Sequence, residues 1–175
     1  MISYWFYKIS EAIALLIPLR MAYVLAKILS GVYYIFAFRD RRMVTDNLKV
    51  IFPLKGGREI ASIRFRVFRN FAKYLVDFLR FKKLDKKYIS NNVKIINLES
   101  VKEGLRRGKG VILLTAHLGN WELGGMVISQ LGYSLLTVAL AHKSPKVDRF
   151  FNDKRESKAR QGGYPVNGSF RQLGT

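Results

Sequence analysis

The sequence predicts an α/β fold preceded by membrane-associated helices, and three observations support this prediction. The first 38 residues are the most apolar part of the chain. Residues 58–83 show the apolar spacing of one long helix. From about residue 92, short apolar strands alternate with helices, which is typical of a parallel sheet with right-handed crossovers. We therefore expect a membrane anchor over residues 1–38, a basic amphipathic helical region over residues 39–91 and a partial α/β core over residues 92–175.

The N-terminal region contains only four charged side chains, and the rest is mainly apolar. A membrane-spanning helix needs about 20 mainly apolar residues. The segment Ile13–Phe38 reaches this length if Arg20 and Lys27 extend their charges to the membrane surface. It lacks the basic start and small-residue cleavage site of a signal peptide. A retained anchor is the favoured interpretation, and two buried core helices broken near Pro18 are the alternative.

Three arginines follow the apolar region directly, at Arg39, Arg41 and Arg42. Cations beside an apolar segment mark its cytoplasmic side, so the rest of the chain is expected there. The helix predicted from Arg58 to Lys83 combines an apolar stripe with many cations. It either contacts lipid directly or presents a solvated basic face, and the sequence leaves both interpretations open.

The region after residue 92 supplies the predicted α/β elements. Strands are predicted at Val93–Asn97, Val111–Ala116 and Ser134–Ala141. Helices are predicted at Leu98–Gly110, from about Asn120, at Lys146–Arg160, and starting at Phe170–Leu173. Two or three parallel strands with an open edge make an incomplete domain. We therefore expect the C-terminal part of this domain to be missing after Thr175.

The charge balance and the missing cysteines limit the possible chemistry. The chain has 31 Lys and Arg against 12 Asp and Glu, a net charge of +19, and no cysteine. A disulfide framework, a thiolate nucleophile and cysteine-ligated metal sites are thereby excluded. Two histidines do not make a convincing metal site, so neither a metal nor a cofactor is expected. The positive charge favours an anionic partner, such as nucleic acid, anionic lipid, a phosphorylated small molecule or an acidic protein.

A histidine and a glutamate stand where catalytic groups gather in open α/β sheets, beyond the end of a strand. His117 follows the predicted strand, Asn120 is a predicted N-cap, and Glu122 falls in the first turn of the next helix. Such a carboxylate can fix the tautomer of His117 and stabilise its protonated form, which leaves the other ring nitrogen as a general base. The spacing alone is a weak signal, so structural roles for both residues also remain open.

The stretch TAHLGNWELGG, Thr115–Gly125, resembles the active-site block of the bacterial lysophospholipid acyltransferase superfamily. More narrowly, it resembles the lipid A biosynthesis acyltransferases, the lauroyl and myristoyl transferases, whose block reads His-x-x-x-x-Asp/Glu. The segments Arg41–Pro53 and Ser144–Gly163 resemble the family's Asn-Leu…Phe-Pro and Asn-Pro…Arg…Gly segments in the same order. Ser144 departs from the asparagine usual before that proline. The resemblance covers all 175 residues.

The resemblance implies a glycerolipid-acyltransferase-like α/β domain at the cytoplasmic face of the bacterial inner membrane. The implied reaction transfers a fatty acyl chain from acyl carrier protein to a hydroxyl of a lipid A precursor. It implies His117 as general base and Glu122 as its orienting partner, with Gly119, Asn120 and Arg160 in substrate binding. The implied partners are acyl carrier protein, an anionic glycolipid acceptor and membrane lipids. For Arg160, a surface cation without function is the alternative.

Two other functions remain open from the sequence. A relative of the same superfamily could use the same two residues to acylate another glycolipid or a lysophospholipid. A basic nucleic-acid-binding module would use the positive charge without the His–Glu pair. No groove-reading or RNA-binding motif is visible, so nucleic acid is not expected as a partner. The second histidine, His142, is interpreted as a strand-end or loop residue.

We expect the chain to bind anionic vesicles and acyl carrier protein, with an affinity that falls as salt rises. Salt screens surface charges, because the Debye length shrinks from about 30 Å at 0.01 M to about 10 Å at 0.1 M. Co-sedimentation with vesicles across this salt range measures the effect. Tight, structured binding to nucleic acid, without affinity for vesicles or carrier protein, would favour the rival class.

Overall fold

A computed structural model describes residues 2–116, 118–135, 137–139, 142, 144–161 and 170–172, and nothing is stated about the others. The side chains of residues 2, 3, 137–139, 157–161 and 170–172 are likewise not described. The helices in these ranges are α1 (Ile2–Leu16), α2 (Leu19–Phe36), α3 (Phe38–Ile51), α4 (Gly57–Leu79), α5 (Lys86–Asn92), α6 (Leu98–Arg106), α7 (Trp121–Gln130) and α8 (Pro145–Gln161). A 3₁₀ turn spans Phe81–Lys83, and two strands span Thr137–Ala139 (β1) and Phe170–Gln172 (β2). The chain divides into an N-terminal unit, Ile2–Arg80, and a C-terminal unit beginning at Phe81.

The segment Ile13–Phe38 of the favoured interpretation is not one continuous helix, because the break that the alternative placed near Pro18 is present in the N-terminal unit. Proline has no N–H to donate into a helix and its ring disfavours continuation, so α1 stops at Leu16 and α2 starts at Leu19. The guanidinium of Arg80 compensates the interrupted end of α1. Its Nη1 donates hydrogen bonds to the carbonyl oxygens of Ala14 and Ile17, the latter at 2.9 Å. One side chain at the end of α4 thereby satisfies carbonyls that α1 leaves without helical partners.

The apolar side chains of α1 and α2 are largely exposed, which does not fit the alternative of two buried core helices. Only Ala22 and Ser30 of α2 are buried. Within the described residues, α2 is the one helix long and apolar enough to cross a membrane by length and composition. The most exposed apolar side chains of the two helices are Trp5, Phe6, Ile9, Leu16, Met21, Val24, Ile28, Leu29, Ile35 and Phe36.

The long basic helix predicted from Arg58 to Lys83 is confirmed as α4, which ends at Leu79. Its first turn is closed by Glu59, whose carboxylate accepts hydrogen bonds from Lys55 Nζ at 2.8 Å and from the backbone N–H of Gly56 at 3.4 Å. These bonds lower the pKa of Glu59. The hydrogen bond from Lys55 has the larger effect, and the one from the Gly56 N–H has the next largest. The buried face of α4 packs against α1, α2 and α3.

In the C-terminal unit, the predicted helices that follow residues 97, 120 and 145 are confirmed as α6, α7 and α8. Helix α6 ends at Arg106 and is followed by Gly108 at a φ of 70°, in the left-handed region that glycine adopts without strain. Helices α7 and α8 pack on each other, and each contributes buried apolar residues to the core. These buried residues are Met126, Val127, Val147, Phe150 and Phe151.

The α/β fold predicted from the sequence is wrong. The described residues are predominantly helical, and Val93–Asn97 and Val111–Ala116 do not form strands. The helix start expected at Phe170–Leu173 is also wrong, because Phe170–Gln172 is a strand. It pairs in parallel with Thr137–Ala139, where Thr137 lies opposite Phe170. In the part of the chain that the structure describes, this three-residue pair is the whole sheet, and it is too small to form a layer for helices to pack on.

The physical reason for the error is that apolarity and strand formation are different properties. The run Val111–Ala116 has the composition of a buried strand, yet Ile112 is 94% exposed and Leu114 is 97% exposed. A strand needs a neighbouring strand to satisfy its N–H and C=O groups, and that neighbour is remote in sequence. A local pattern indicates a preference for burial but does not supply the partner.

We expect Arg80→Met to destabilise the protein because it removes the donor to Ala14 and Ile17 while keeping much of the side-chain volume. Hydrogen bonds that involve a charged group contribute about 1.5–3 kcal/mol each. The matched control is Arg66→Met, which removes the same group from an exposed position of α4. Thermal unfolding of both variants in detergent measures the effect, and equal melting temperatures would contradict a capping role for Arg80.

Candidate active site

The turn before α7 is built by Gly119 and Asn120. Asn120 Oδ1 accepts a hydrogen bond from the backbone N–H of Leu123 at 3.0 Å, so the predicted N-cap is confirmed. Gly119 has a φ of 67°, in the left-handed region that residues with a Cβ atom rarely adopt. A Cβ atom there would meet nothing within 4 Å. The backbone conformation, rather than lack of space, therefore favours glycine at this turn.

Glu122 lies in the first turn of α7, as predicted, and forms an ion pair with Arg155 of α8. Arg155 Nε donates to Glu122 Oε2 at 3.0 Å, and Arg155 Nη2 donates to the other carboxylate oxygen, Oε1. The side chain of Glu122 is only 13% exposed, and that of Arg155 is only 10% exposed. Two parallel bonds between a guanidinium fork and a carboxylate fix both the distance and the orientation of the two groups.

The ion pair continues into a chain of hydrogen bonds along α8. Arg155 Nη1 donates to Asn152 Oδ1 at 3.2 Å, and Asn152 Nδ2 donates to Asp148 Oδ2 at 3.0 Å. The other oxygen of Asp148 accepts from the backbone N–H of His142 at 2.8 Å. The guanidinium is therefore held by Asn152 as well as by Glu122. The first turn of α7, one face of α8 and the segment before α8 share one polar network.

His142 lies in this segment between β1 and α8, as the interpretation of a loop residue anticipated. Its ring lies 4.5 Å from the ring of Phe151, centre to centre, and the residue is exposed. Its backbone N–H, rather than its imidazole, provides the link to Asp148. The geometry gives the His142 side chain a packing contact with Phe151.

Two of the predicted site residues cannot be placed by their side chains. His117 lies outside the described residues, and Arg160 lies in α8 with a side chain outside the described part. The structure thus brings Asn120 and Glu122 together at the start of α7, while the His117–Glu122 contact stays a prediction. Within the described ranges, no three His, Asp or Glu side chains come together in a way that could hold a metal ion.

Arg155 is the residue that the sequence reasoning missed, although a signal was present. Buried side chains of α8 fall at Val147, Phe150 and Phe151, and continuing this helical spacing leads to residues 154 and 155. Counted over the whole residue, Lys154 is indeed only 6% exposed and Arg155 only 8% exposed. A cation on the apolar stripe of a helix must be paired, because burial of an isolated charge is very costly. This spacing could have identified Arg155 as the partner of a buried carboxylate.

Comparison with known proteins connects this chain to a family. Residues 1–172 match the family described as bacterial lipid A biosynthesis acyltransferase. A curated relative, phosphatidylinositol mannoside acyltransferase of Mycolicibacterium smegmatis, is 27% identical over 88 residues. That match covers 50% of this chain and 29% of the relative, so the aligned part spans less than a third of the relative's length. No solved structure matches the chain.

We expect Arg155→Met to lower the stability of the protein by about 3–5 kcal/mol, the usual cost of leaving a buried charge without its partner. The double variant Glu122→Leu with Arg155→Met should recover much of this loss, because it leaves no charge unpaired. Arg149→Met, at an exposed position of the same helix, is the matched control. Urea unfolding measures these three variants and the single variant Glu122→Leu. Strictly additive effects of the two single substitutions would contradict a coupled pair.

Proposed function

Because the chain belongs to the bacterial lipid A biosynthesis acyltransferase family, we propose that it acts in acyl transfer from acyl carrier protein to a hydroxyl of a lipid A precursor. One observation carries this proposal: a carboxylate in the first turn of α7, five residues after His117, is held rigidly by Arg155. In this assignment His117 is the general base, and Glu122 is the residue that positions it.

The proposed reaction needs one proton acceptor and no covalent enzyme intermediate. His117 takes the proton of the acceptor hydroxyl as the oxygen attacks the thioester carbonyl carbon. The tetrahedral intermediate carries a negative oxygen, which hydrogen-bond donors or a cation must stabilise. The intermediate then collapses, the C–S bond breaks, and the thiolate of the carrier receives the proton from His117. The products are an ester on the acceptor and a free thiol on the carrier.

Glu122 suits the positioning role because it is fixed before any substrate binds. A carboxylate has about four acceptor positions, so a two-point bond to Arg155 leaves capacity for an imidazole N–H. The guanidinium neutralises much of the carboxylate charge. We therefore assign to Glu122 mainly the orientation of His117 and the selection of its tautomer, with a smaller share for stabilising the imidazolium. Gly119 and Asn120 set the turn that would present His117 to the acceptor.

The family is membrane-associated in bacteria, and we propose that α2 anchors this chain at the cytoplasmic face of the inner membrane. The exposed apolar side chains of α2 and the cations that follow it at residues 39, 41 and 42 support this orientation. The net charge of +19 suits two anionic partners, the acidic carrier protein and a phosphate-bearing acceptor. We assign Arg160 to acceptor binding on the resemblance to the family segment alone.

A second candidate is acylation of another glycolipid. The relative from Mycolicibacterium smegmatis is named for a phosphatidylinositol mannoside acceptor. The same base and the same positioning carboxylate serve any lipid hydroxyl, because the chemistry does not depend on the sugar. Parallel assays with a lipid A precursor and a phosphatidylinositol mannoside, using the same acyl donor, distinguish the two acceptors.

We expect His117→Ala to lower the rate of acyl transfer by about 100- to 10,000-fold, the usual effect of removing a general base. The measurement follows a labelled acyl chain from acyl carrier protein to a lipid A precursor. His142→Ala is the matched control because it removes the same imidazole from an exposed loop position, and it should keep its activity.

Glu122→Gln should reduce the rate less than His117→Ala, and the double variant should be little worse than His117→Ala alone. Residues that act as one catalytic unit have non-additive effects. Thermal melts must accompany the assay, because Glu122 also pairs with Arg155. Near-normal turnover by a folded His117→Ala protein would overturn the mechanism.

A further inference from the structure

Two arginines from neighbouring helices converge on Tyr34, in the last turn of α2. Arg64 of α4 donates from Nε to the Tyr34 hydroxyl at 2.8 Å and from Nη1 to Thr45 Oγ1 at 2.6 Å. The guanidinium carbon of Arg41, on α3, lies 4.8 Å from the centre of the Tyr34 ring. The cluster formed by Tyr34, Arg41, Thr45 and Arg64 lies entirely inside the N-terminal unit.

The described part of the chain offers no carboxylate to compensate the positive charge of this cluster. Among the residues that the structure describes, no carboxylate forms an ion pair with Arg41 or Arg64. Arg64 donates only to neutral hydroxyls. Arg41 Nε is buried and has no hydrogen-bond acceptor. Buried donors without acceptors are rare in folded proteins, and two nearby cations of one sign repel unless an anion lies between or beside them.

The remaining donors of the cluster suit a group with several oxygens. The Tyr34 hydroxyl accepts the bond from Arg64, so its own proton stays available for donation. Arg41 retains its two terminal nitrogens, and Arg64 retains Nη2. Planar guanidinium forks match phosphate oxygens in two-point contacts. A phosphate offers enough acceptors for both forks and the hydroxyl together.

The residues around the cluster favour a phosphate at the membrane surface over a soluble one. Phe38, whose ring centre lies 5.5 Å from the Arg41 guanidinium carbon, is 69% exposed, and Ile35 is 59% exposed. Tyr34 stands at the end of α2, the helix with the length and composition of a membrane span. The end of such a helix lies at headgroup depth, where aromatic rings and cations gather. A soluble phosphate would have no use for the exposed apolar rim.

We propose that Tyr34, Arg41 and Arg64 form a binding site for a phosphate group, and that a phospholipid headgroup supplies it. This site shares no residue with the proposed acyl-transfer residues, which all follow residue 116. The acyl chains of the phospholipid would lie along the exposed apolar side chains of α2. The site thus fixes the level at which the end of α2 meets the membrane surface.

The test uses the full chain in neutral detergent and two double variants that each remove two charges from α3 and α4. Arg41→Gln with Arg64→Gln alters the site, whereas Arg42→Gln with Arg66→Gln alters exposed positions beside it. Each protein is titrated by calorimetry with short-chain phosphatidylglycerol, with inorganic phosphate and with short-chain diacylglycerol. Tyr34→Phe provides a further variant that keeps the ring and removes only the hydroxyl. Thermal unfolding checks that each variant is folded.

We expect the Arg41/Arg64 variant to bind phosphatidylglycerol at least about tenfold more weakly, since each charge-assisted bond contributes at least that factor. The Arg42/Arg66 variant should stay within about twofold of the unaltered chain, and Tyr34→Phe should lose about two- to tenfold. Equal losses in both double variants would overturn the proposal in favour of diffuse charge attraction. Equal binding of diacylglycerol would overturn it in favour of apolar capture, and equal binding of inorganic phosphate would overturn the assignment to a headgroup. None of these outcomes depends on acyl transfer.

Discussion

The ion pair between Glu122 and Arg155 constrains the arrangement of the C-terminal unit. Both charges are almost removed from water, and their mutual bonds must offset a desolvation cost of several kcal/mol per ion. That compensation works only when the fork and the carboxylate are aligned. Helices α7 and α8, which pack on each other, are therefore held in one register. A shift of either helix would break the bonds between these two buried charges.

This constraint has a chemical consequence at the start of α7. The Asn120 cap and the left-handed Gly119 fix the turn, and the ion pair fixes the carboxylate that follows. A positioning group that is held before the substrate arrives needs no reorganisation during the reaction. The position of Glu122 also suits the positive end of the helix dipole. The carboxylate of the structural ion pair is thus also the proposed positioning group.

The N-terminal unit handles its charges differently. Three of its carboxylates accept hydrogen bonds from other side chains of the unit: Asp40 accepts from the Tyr33 hydroxyl, Asp77 from the Tyr23 hydroxyl, and Glu59 from Lys55. Arg41 and Arg64 have no carboxylate among the described residues and gather around an aromatic ring instead. Exposed apolar helices beside cations without counter-charges suit an anionic membrane surface. Two cations of this unit, Arg41 and Arg64, therefore have a specific location around Tyr34.

The sequence by itself determined the features that depend on neighbours along the chain. These are the long helix α4, the cap at Asn120 and the place of Glu122 in the first turn of α7, which follow from chemistry within a few residues. The family followed from a contiguous block around residues 115–125. These features need no information about distant partners, and the structure and the family match agree with them.

Only the tertiary structure decided which remote groups meet. The apolar run Val111–Ala116 predicted a strand, but pairing requires a second chain segment, and the structure provides none for it in the described residues. The partner of Glu122 was likewise decided by packing, since Arg155 is 33 residues away. The physical reason is the same in both cases. Strand pairing and burial of a charge are favourable only when the complementary group arrives, and the local sequence does not encode its arrival.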